Sequence, residues 1–198
     1  MSKKIVAIVG SYRKGEIIDT AVEAILQGAR EKGAATHTIY LTEQHIEFCR
    51  NCRTCVQTPG LERGKCPQQD DMEPILQEIE AADALVLGSP VNCGNLTAIF
   101  RRFMERLIGF AYWPWGQASP RSRKKELTRK SVLVASSAMP SLMMLVFTGA
   151  ATALRRTAKI LGAQTIETLW IGLAARESHH KLSPRTLARA RRLGWKLA

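Results

Sequence analysis

The chain has 198 residues, 45% hydrophobic and 23% charged, with five cysteines and a formal net charge of +12. That balance belongs to a globular chain of one domain, which buries roughly 70% of its unfolded surface, and no apolar run nears the ~20 residues of a membrane-spanning helix. The "IVAIV" of the N-terminus is too short for a signal peptide, so the expectation is a cytoplasmic, reduced protein with one domain over 1–198.

The elements alternate along the chain. "KIVAIVG" (4–10) predicts a buried strand, and "DTAVEAILQGAREKG" (19–33) a helix with Ala21, Val22, Ile25, Leu26 and Ala29 at helical spacing and Gly33 as its stop. "THTIYL" (36–41) alternates as a second strand. After a cysteine-rich loop at 45–70, "DMEPILQEIEAA" (71–82) predicts a helix capped by Asp70 or Asp71, with Pro74 in its first turn. "DALVLGSP" (83–90) is the third strand and "LTAIFRRFMERLIGF" (96–110) an amphipathic helix. A basic and aromatic insert at 110–130 precedes the fourth strand, "SVLVASS" (131–137). "TALRRTAKILG" (152–162) reads as helix, started near Leu142, and "AQTIETLWIG" (163–172) as the fifth strand. The last helix, 183–198, has Ser183 as N-cap and Pro184 at N1.

Strands and helices in alternation imply a parallel sheet with helices on both faces. Such sheets bind ligands outside the carboxyl ends of their strands, which directs attention to three loops. "GSYRKGEIID" (10–19) offers a hydroxyl, basic side chains and the backbone N–H groups of a helix N-terminus, the chemistry of an anion cradle. It has neither the G-x-G-x-x-G spacing nor a Walker A ending. "GSPVNCGNLTAIF" (88–100) has Gly94 where backbone can approach a flat ligand closely, and "SSAMP" (136–140) is small and polar. One loop suited to phosphate and two suited to a planar ring suggest a flavin mononucleotide.

On these motifs the chain resembles the flavodoxin-like NAD(P)H-dependent FMN reductases, including their iron–sulfur flavoprotein branch. The resemblance implies an α/β flavodoxin-like domain with a five-stranded parallel sheet in the order 2-1-3-4-5. It implies that Ser11, Arg13, Ile17, Ile18 and Asp19 wrap the FMN phosphate. Pro90, Val91, Asn92, Cys93, Gly94 and Asn95 would border the isoalloxazine, with Ser136, Ser137 and Ala138 on its other edge. Many relatives carry an aromatic where Asn92 stands, so main-chain contacts are what carries over there. It further implies NAD(P)H as co-substrate, electron delivery to a flavin, quinone or other small acceptor, and a homodimer or homotetramer.

Four cysteines lie within "CRNCRTCVQTPGLERGKC" (49–66). Cys49, Cys52 and Cys55 repeat every third residue, a run that wraps thiolates around one point and suits a [4Fe-4S] cluster completed by Cys66. The insert "VQTPGLERGK" before Cys66 is longer than in iron–sulfur flavoproteins, and Pro59, Gly60 and Gly64 would let it loop out and return. Reduced thiols in a loop that packs against a neighbouring subunit are the preferred reading, ahead of the cluster, and zinc is the third. Cys93 reads as a small buried hydrophobe, and His37, His45, His179 and His180 as solvated or packed side chains rather than ligands. "FAYWPWG" (110–116) is a subunit contact or a lid over the flavin, the contact preferred. The positive charge reads as solvated helix faces plus a loop, 121–130, that attracts the phosphates of a nicotinamide nucleotide. Without a reading helix or interleaved aromatics, nucleic-acid binding is not expected.

Overall fold

A computed structural model describes residues 2–123, 126–175 and 179–198. Lys124 and Lys125 of the basic loop, and Glu177 beside the histidine pair, lie outside the described residues. The frame consists of β1 (Lys4–Val9), α1 (Ile17–Glu31), β2 (Ala35–Tyr40), α2 (Met72–Glu80), β3 (Ala84–Asn92), β4 (Asn95–Leu96) and α3 (Ala98–Glu105). There follow β5 (Ala111–Tyr112), β6 (Arg121–Ser122), β7 (Arg129–Ser136), α4 (Ser141–Phe147), α5 (Ala150–Ile160), β8 (Ala163–Ile171) and α6 (Pro184–Leu197). Strands β2-β1-β3-β7-β8 form one parallel sheet in that order, as the sequence pattern and resemblance lead one to expect. Among the described residues no helix is long and apolar enough to cross a membrane.

The pleat divides each strand between two cores. On one side Ile5, Ala7 and Val9 of β1 meet Ile18, Val22 and Ile25 of α1 and Leu193 of α6. On the other, Val6 and Ile8 share a cluster with Leu76 of α2, Phe100 and Phe103 of α3, and Leu154 of α5. Helices α1 and α6 cross at glycines. A Cβ at Gly28 would lie 2.0 Å from the Arg191 carbonyl oxygen, and one at Gly194 would lie 1.9 Å from that of Ile25. No side chain fits at either point.

Two elements differ from the periodicity. The 96–110 segment begins with β4, and its helix ends at Glu105; a 3-10 turn, Arg106–Phe110, follows. The turn lets Arg106 leave the helical register and enter the cysteine loop. The 142–162 segment is two helices broken at Thr148 and Gly149, not one. Gly149 donates its N–H to the Gly94 carbonyl at 2.9 Å, and a Cβ there would lie 2.9 Å from Asn95 Nδ2. The break allows the chain to touch the β3–β4 turn.

Candidate functional site

At the carboxyl end of β1, Gly10 donates to the Gly88 carbonyl at 2.8 Å. Thr97, buried and N-capping α3, donates its hydroxyl back to the Gly10 carbonyl at 2.6 Å. The next residues wind tightly. Ser11 Oγ accepts from the Arg13 N–H at 3.2 Å, and the N–H of Gly15, at φ +77°, donates to Asp19 Oδ2 at 2.6 Å. Asp19 Oδ1 accepts from the Tyr40 hydroxyl at 2.6 Å; burial first and this carboxylate second keep the phenol's pKa raised. Asp19 thus staples the loop from outside. The N-cap of α1 is Glu16, which makes no side-chain cap, so the amides of its first turn are left to a ligand.

The β3–β4 connection is a two-residue turn. Val91 pairs with Leu96 and Asn92 with Asn95, while Cys93 and Gly94 have φ +47° and +73°. Positive φ at both central positions is the type I′ geometry that suits the strand twist, so Gly94 is required by the turn itself. Cys93 is exposed, which corrects the expectation of a buried thiol: a side chain at the tip of such a hairpin has no core to enter. The loop after β7 is pinned by Ser137, whose N–H donates to the Ile171 carbonyl at 3.0 Å and whose carbonyl accepts from Ala174 at 2.9 Å.

These loops enclose a cavity of about 300 Å³. It is lined by Ser11, Arg13, Ile17 and Ile18 of the first loop, by Pro90, Val91 and Asn92 of the second, and by Ser136, Ser137 and Ala138 of the third. Asp19, Cys93, Gly94 and Asn95 are not on its wall. Sequence reasoning missed Tyr12, Glu16, Ala174 and Ala175, which do line it; Tyr12 and Glu16 stood inside the quoted motif, whereas nothing in the segment after β8 signalled the two alanines. Glu16 puts a carboxylate at an anion site. A hydrogen bond from His179 at 2.7 Å lowers its pKa, against burial and with help from Arg13 at 3.2 Å, so its charge is already matched. His179 is thus paired with a carboxylate on the cavity wall.

A second pocket lies in the 41–71 loop, and Cys49, Cys52, Cys55 and Cys66 all line it. Burial, then the neighbouring thiols, push the Cys55 thiol up, while a hydrogen bond from the Thr54 hydroxyl at 3.4 Å draws Cys52 down. Gly64 returns the long insert: a Cβ there would lie 1.7 Å from the Cys55 carbonyl oxygen. Buried Arg106 pairs with buried Asp70 through both terminal nitrogens, donates to the Glu47 carbonyl at 2.8 Å and reaches Cys66 Sγ at 3.5 Å. Burial alone would raise Asp70, but Arg106 and the amides of Glu47 and Met72 hold its carboxyl below the usual range. The Arg53 guanidinium is stacked 4.0 and 4.1 Å from the ring centres of Trp113 and Trp115. The aromatic insert thus packs on the cysteine loop, and none of its residues line the strand-end cavity. His45 pairs with Glu47 and His37 with Glu78 of α2.

Among the described residues no group of three His, Cys, Asp or Glu side chains is gathered closely enough to hold a single metal ion. Thiolates on one zinc would stand ~3.8 Å apart around Zn–S bonds of ~2.3 Å, so the arrangement does not fit zinc. A cluster with a separate iron for each thiolate spreads its ligands wider. The donor set fits that anionic group: the buried Nε atoms of Arg53, Arg63 and Arg106, all on this pocket, have no hydrogen-bond partner. FMN likewise fits the first cavity, with helix-terminal amides at one end and the backbone of two loops at the other.

A parallel sheet with a cavity across its β1, β3 and β7 ends places the chain among flavodoxin-like α/β proteins. Residues 3–176 match the NADPH-dependent FMN reductase family, and the chain belongs to that family. It is 32% identical over 111 residues to an iron-sulfur flavoprotein of Archaeoglobus fulgidus, covering 56% of this chain and 48% of that one. An iron-sulfur flavoprotein of Methanosarcina thermophila is 30% identical over 105 residues, covering 53% and 52%. The chain thus spans about half the length of the curated relatives it matches. Its fold resembles that of an NAD(P)H:quinone oxidoreductase from Methanothermobacter marburgensis, with a TM-score of 0.75, 18% identity and all of both chains covered.

Proposed function

We propose that the chain is an FMN-dependent NAD(P)H oxidoreductase that passes electrons to a flavin, quinone or other small acceptor. The observation that carries this reading is the cavity at the strand ends, walled by the uncapped first turn of α1 and by two further loops. The α1 amides, Ser11 and Arg13 would hold the phosphate, and the backbone of 90–92 and 136–138 would border the ring. When bound, FMN supplies the hydride acceptor. The protein's part is to position the two partners and exclude water. Ser89 and Thr97, hydrogen-bonded to each other and to the loop backbone, keep two of the loops in register. No acid or base on the chain is needed for hydride transfer itself. The basic 121–130 segment would attract the nicotinamide's phosphates.

A homodimer or homotetramer belongs to this reading, because α4 exposes Leu142, Val146 and Phe147 beside the 136–140 loop and exposed apolar groups of this kind mark interfaces. Light scattering of the full chain tests it: a monomer would contradict it. The catalytic reading is tested by purifying the protein without air, loading it with FMN and adding NADPH. Two resolved flavin bands that bleach are expected; protein that stays colourless with FMN would contradict it.

The cysteine pocket supports a second role, electron transfer through a [4Fe-4S] cluster held by Cys49, Cys52, Cys55 and Cys66. The supporting observation is the shared wall of four thiols and four guanidiniums, those of Arg50, Arg53, Arg63 and Arg106. Stoichiometric iron and acid-labile sulfide in the same preparation are expected, and their absence would contradict this role.

A further inference from the structure

Three of the four guanidiniums of the cysteine pocket, those of Arg53, Arg63 and Arg106, are oriented more strictly than charge neutrality requires. Arg63 gives its terminal nitrogens to Glu73 at 2.9 and 2.8 Å, Arg106 gives its own to Asp70 and to the Glu47 carbonyl, and Arg53 donates to the Trp113 carbonyl at 2.7 Å. These bonds fix the three planes, yet each Nε–H stays buried without an acceptor. A buried donor without an acceptor is unfavourable, and three such donors border this one pocket, together with Gln68 Oε1, a buried acceptor without a donor. Sulfur already accepts there, at Cys66 Sγ. We propose that Arg53, Arg63 and Arg106 donate N–H···S hydrogen bonds to a thiolate-ligated iron–sulfur cluster in this pocket and raise its reduction potential. The inference rests on the cluster role above. A cluster with four thiolates is anionic, and reduction adds one more negative charge. Donors fixed around it therefore favour the reduced form. The acids Asp70, Glu73 and Glu80 pair with Arg106 and Arg63, so lysine in place of arginine keeps each ion pair while removing the Nε–H.

The test compares anaerobically purified full-length wild type with Arg106→Lys and Arg63→Lys. Iron and sulfide are assayed, and the cluster's midpoint potential is read by an EPR-monitored redox titration. Each variant is expected to retain iron and to show a lower potential, by about a tenfold change in the one-electron equilibrium, or 59 mV. Retained or reduced iron with an unchanged potential would overturn the inference, giving the arginines a structural role only, and would leave the cluster in place. Wild type without iron and sulfide would overturn the cluster reading itself and the inference with it. Should both variants fail to fold, Arg53→Lys, in the cysteine loop, is read by the same titration and the same two outcomes.

Discussion

The two pockets are built from different materials. The strand-end cavity is made by backbone: a helix terminus, a type I′ turn and the ends of three parallel strands, with few side chains needed beyond Ser11, Thr97 and Asp19. The cysteine pocket has little regular structure and is held by buried arginines. Arg123 alone donates to the carbonyls of Cys55, Gly60, Gly109 and Ala111, and Arg106 ties Asp70, Glu47 and Cys66 together. Backbone frames tolerate side-chain change and fail at their glycines. Guanidinium frames should fail at single charges.

The largest effect that comparison predicts is at Asp70. Asp70→Ala leaves Arg106, whose side chain is 1% exposed, charged and unpaired, at a cost of about 3–5 kcal/mol, measured as a lower denaturant midpoint. Arg189→Ala removes a partly exposed pair with Glu167 and should cost under about 1 kcal/mol; equal losses would remove the distinction drawn here.

Gly88→Ala strikes the other region. The added methyl would sit 2.9 Å from Ile18 Cγ2 and 3.0 Å from Val22 Cγ2, forcing α1 outward at roughly 1–3 kcal/mol. FMN should bind more weakly, with iron content unchanged; an unchanged FMN affinity would show that α1 does not frame the phosphate. Next in size, Arg53→Ala removes the cation between Trp113 and Trp115, at about 0.5–2 kcal/mol. Tryptophan emission should shift to the red, and FMN affinity should hold.

The smallest effect is in pH. Asp70 has a folded pKa below its ordinary 3.8, because Arg106 outweighs burial. Its contribution is present above that ordinary value and is lost as pH falls through the folded one. Stability curves between pH ~5 and ~2 should be flatter for Asp70→Asn than for wild type. Parallel curves would mean that Asp70 is not the group protonated.

Legibility in the sequence followed the same division. Helical spacing and β-branched runs located all five parallel strands and the cap at Ser183, whose side chain accepts from Thr186, because those signals are local. The strand-end loops were legible as segments, though not down to their walls. Asp19 turned out to be a staple and Asn95 a packing partner of Gly149, distinctions that depend on long-range contacts. Arg106 lay unremarked in the segment 96–110 read as an amphipathic helix; its burial depends on Asp70, 36 positions away. Arg123 read as part of a solvated basic loop, and it is 6% exposed. A buried arginine has no periodic signature, so the chemistry of the second pocket became visible only in three dimensions.

The central claim is that FMN occupies the strand-end cavity and not the larger apolar groove of about 590 Å³ beside Cys49, Leu107 and Ile160. Ala138 and Ile160 are both exposed, so a tryptophan at either position plugs its own cavity without disturbing the core. FMN affinity measured by flavin fluorescence quenching should be abolished in Ala138→Trp and unchanged in Ile160→Trp. The reverse pattern would place the flavin in the groove and contradict the account.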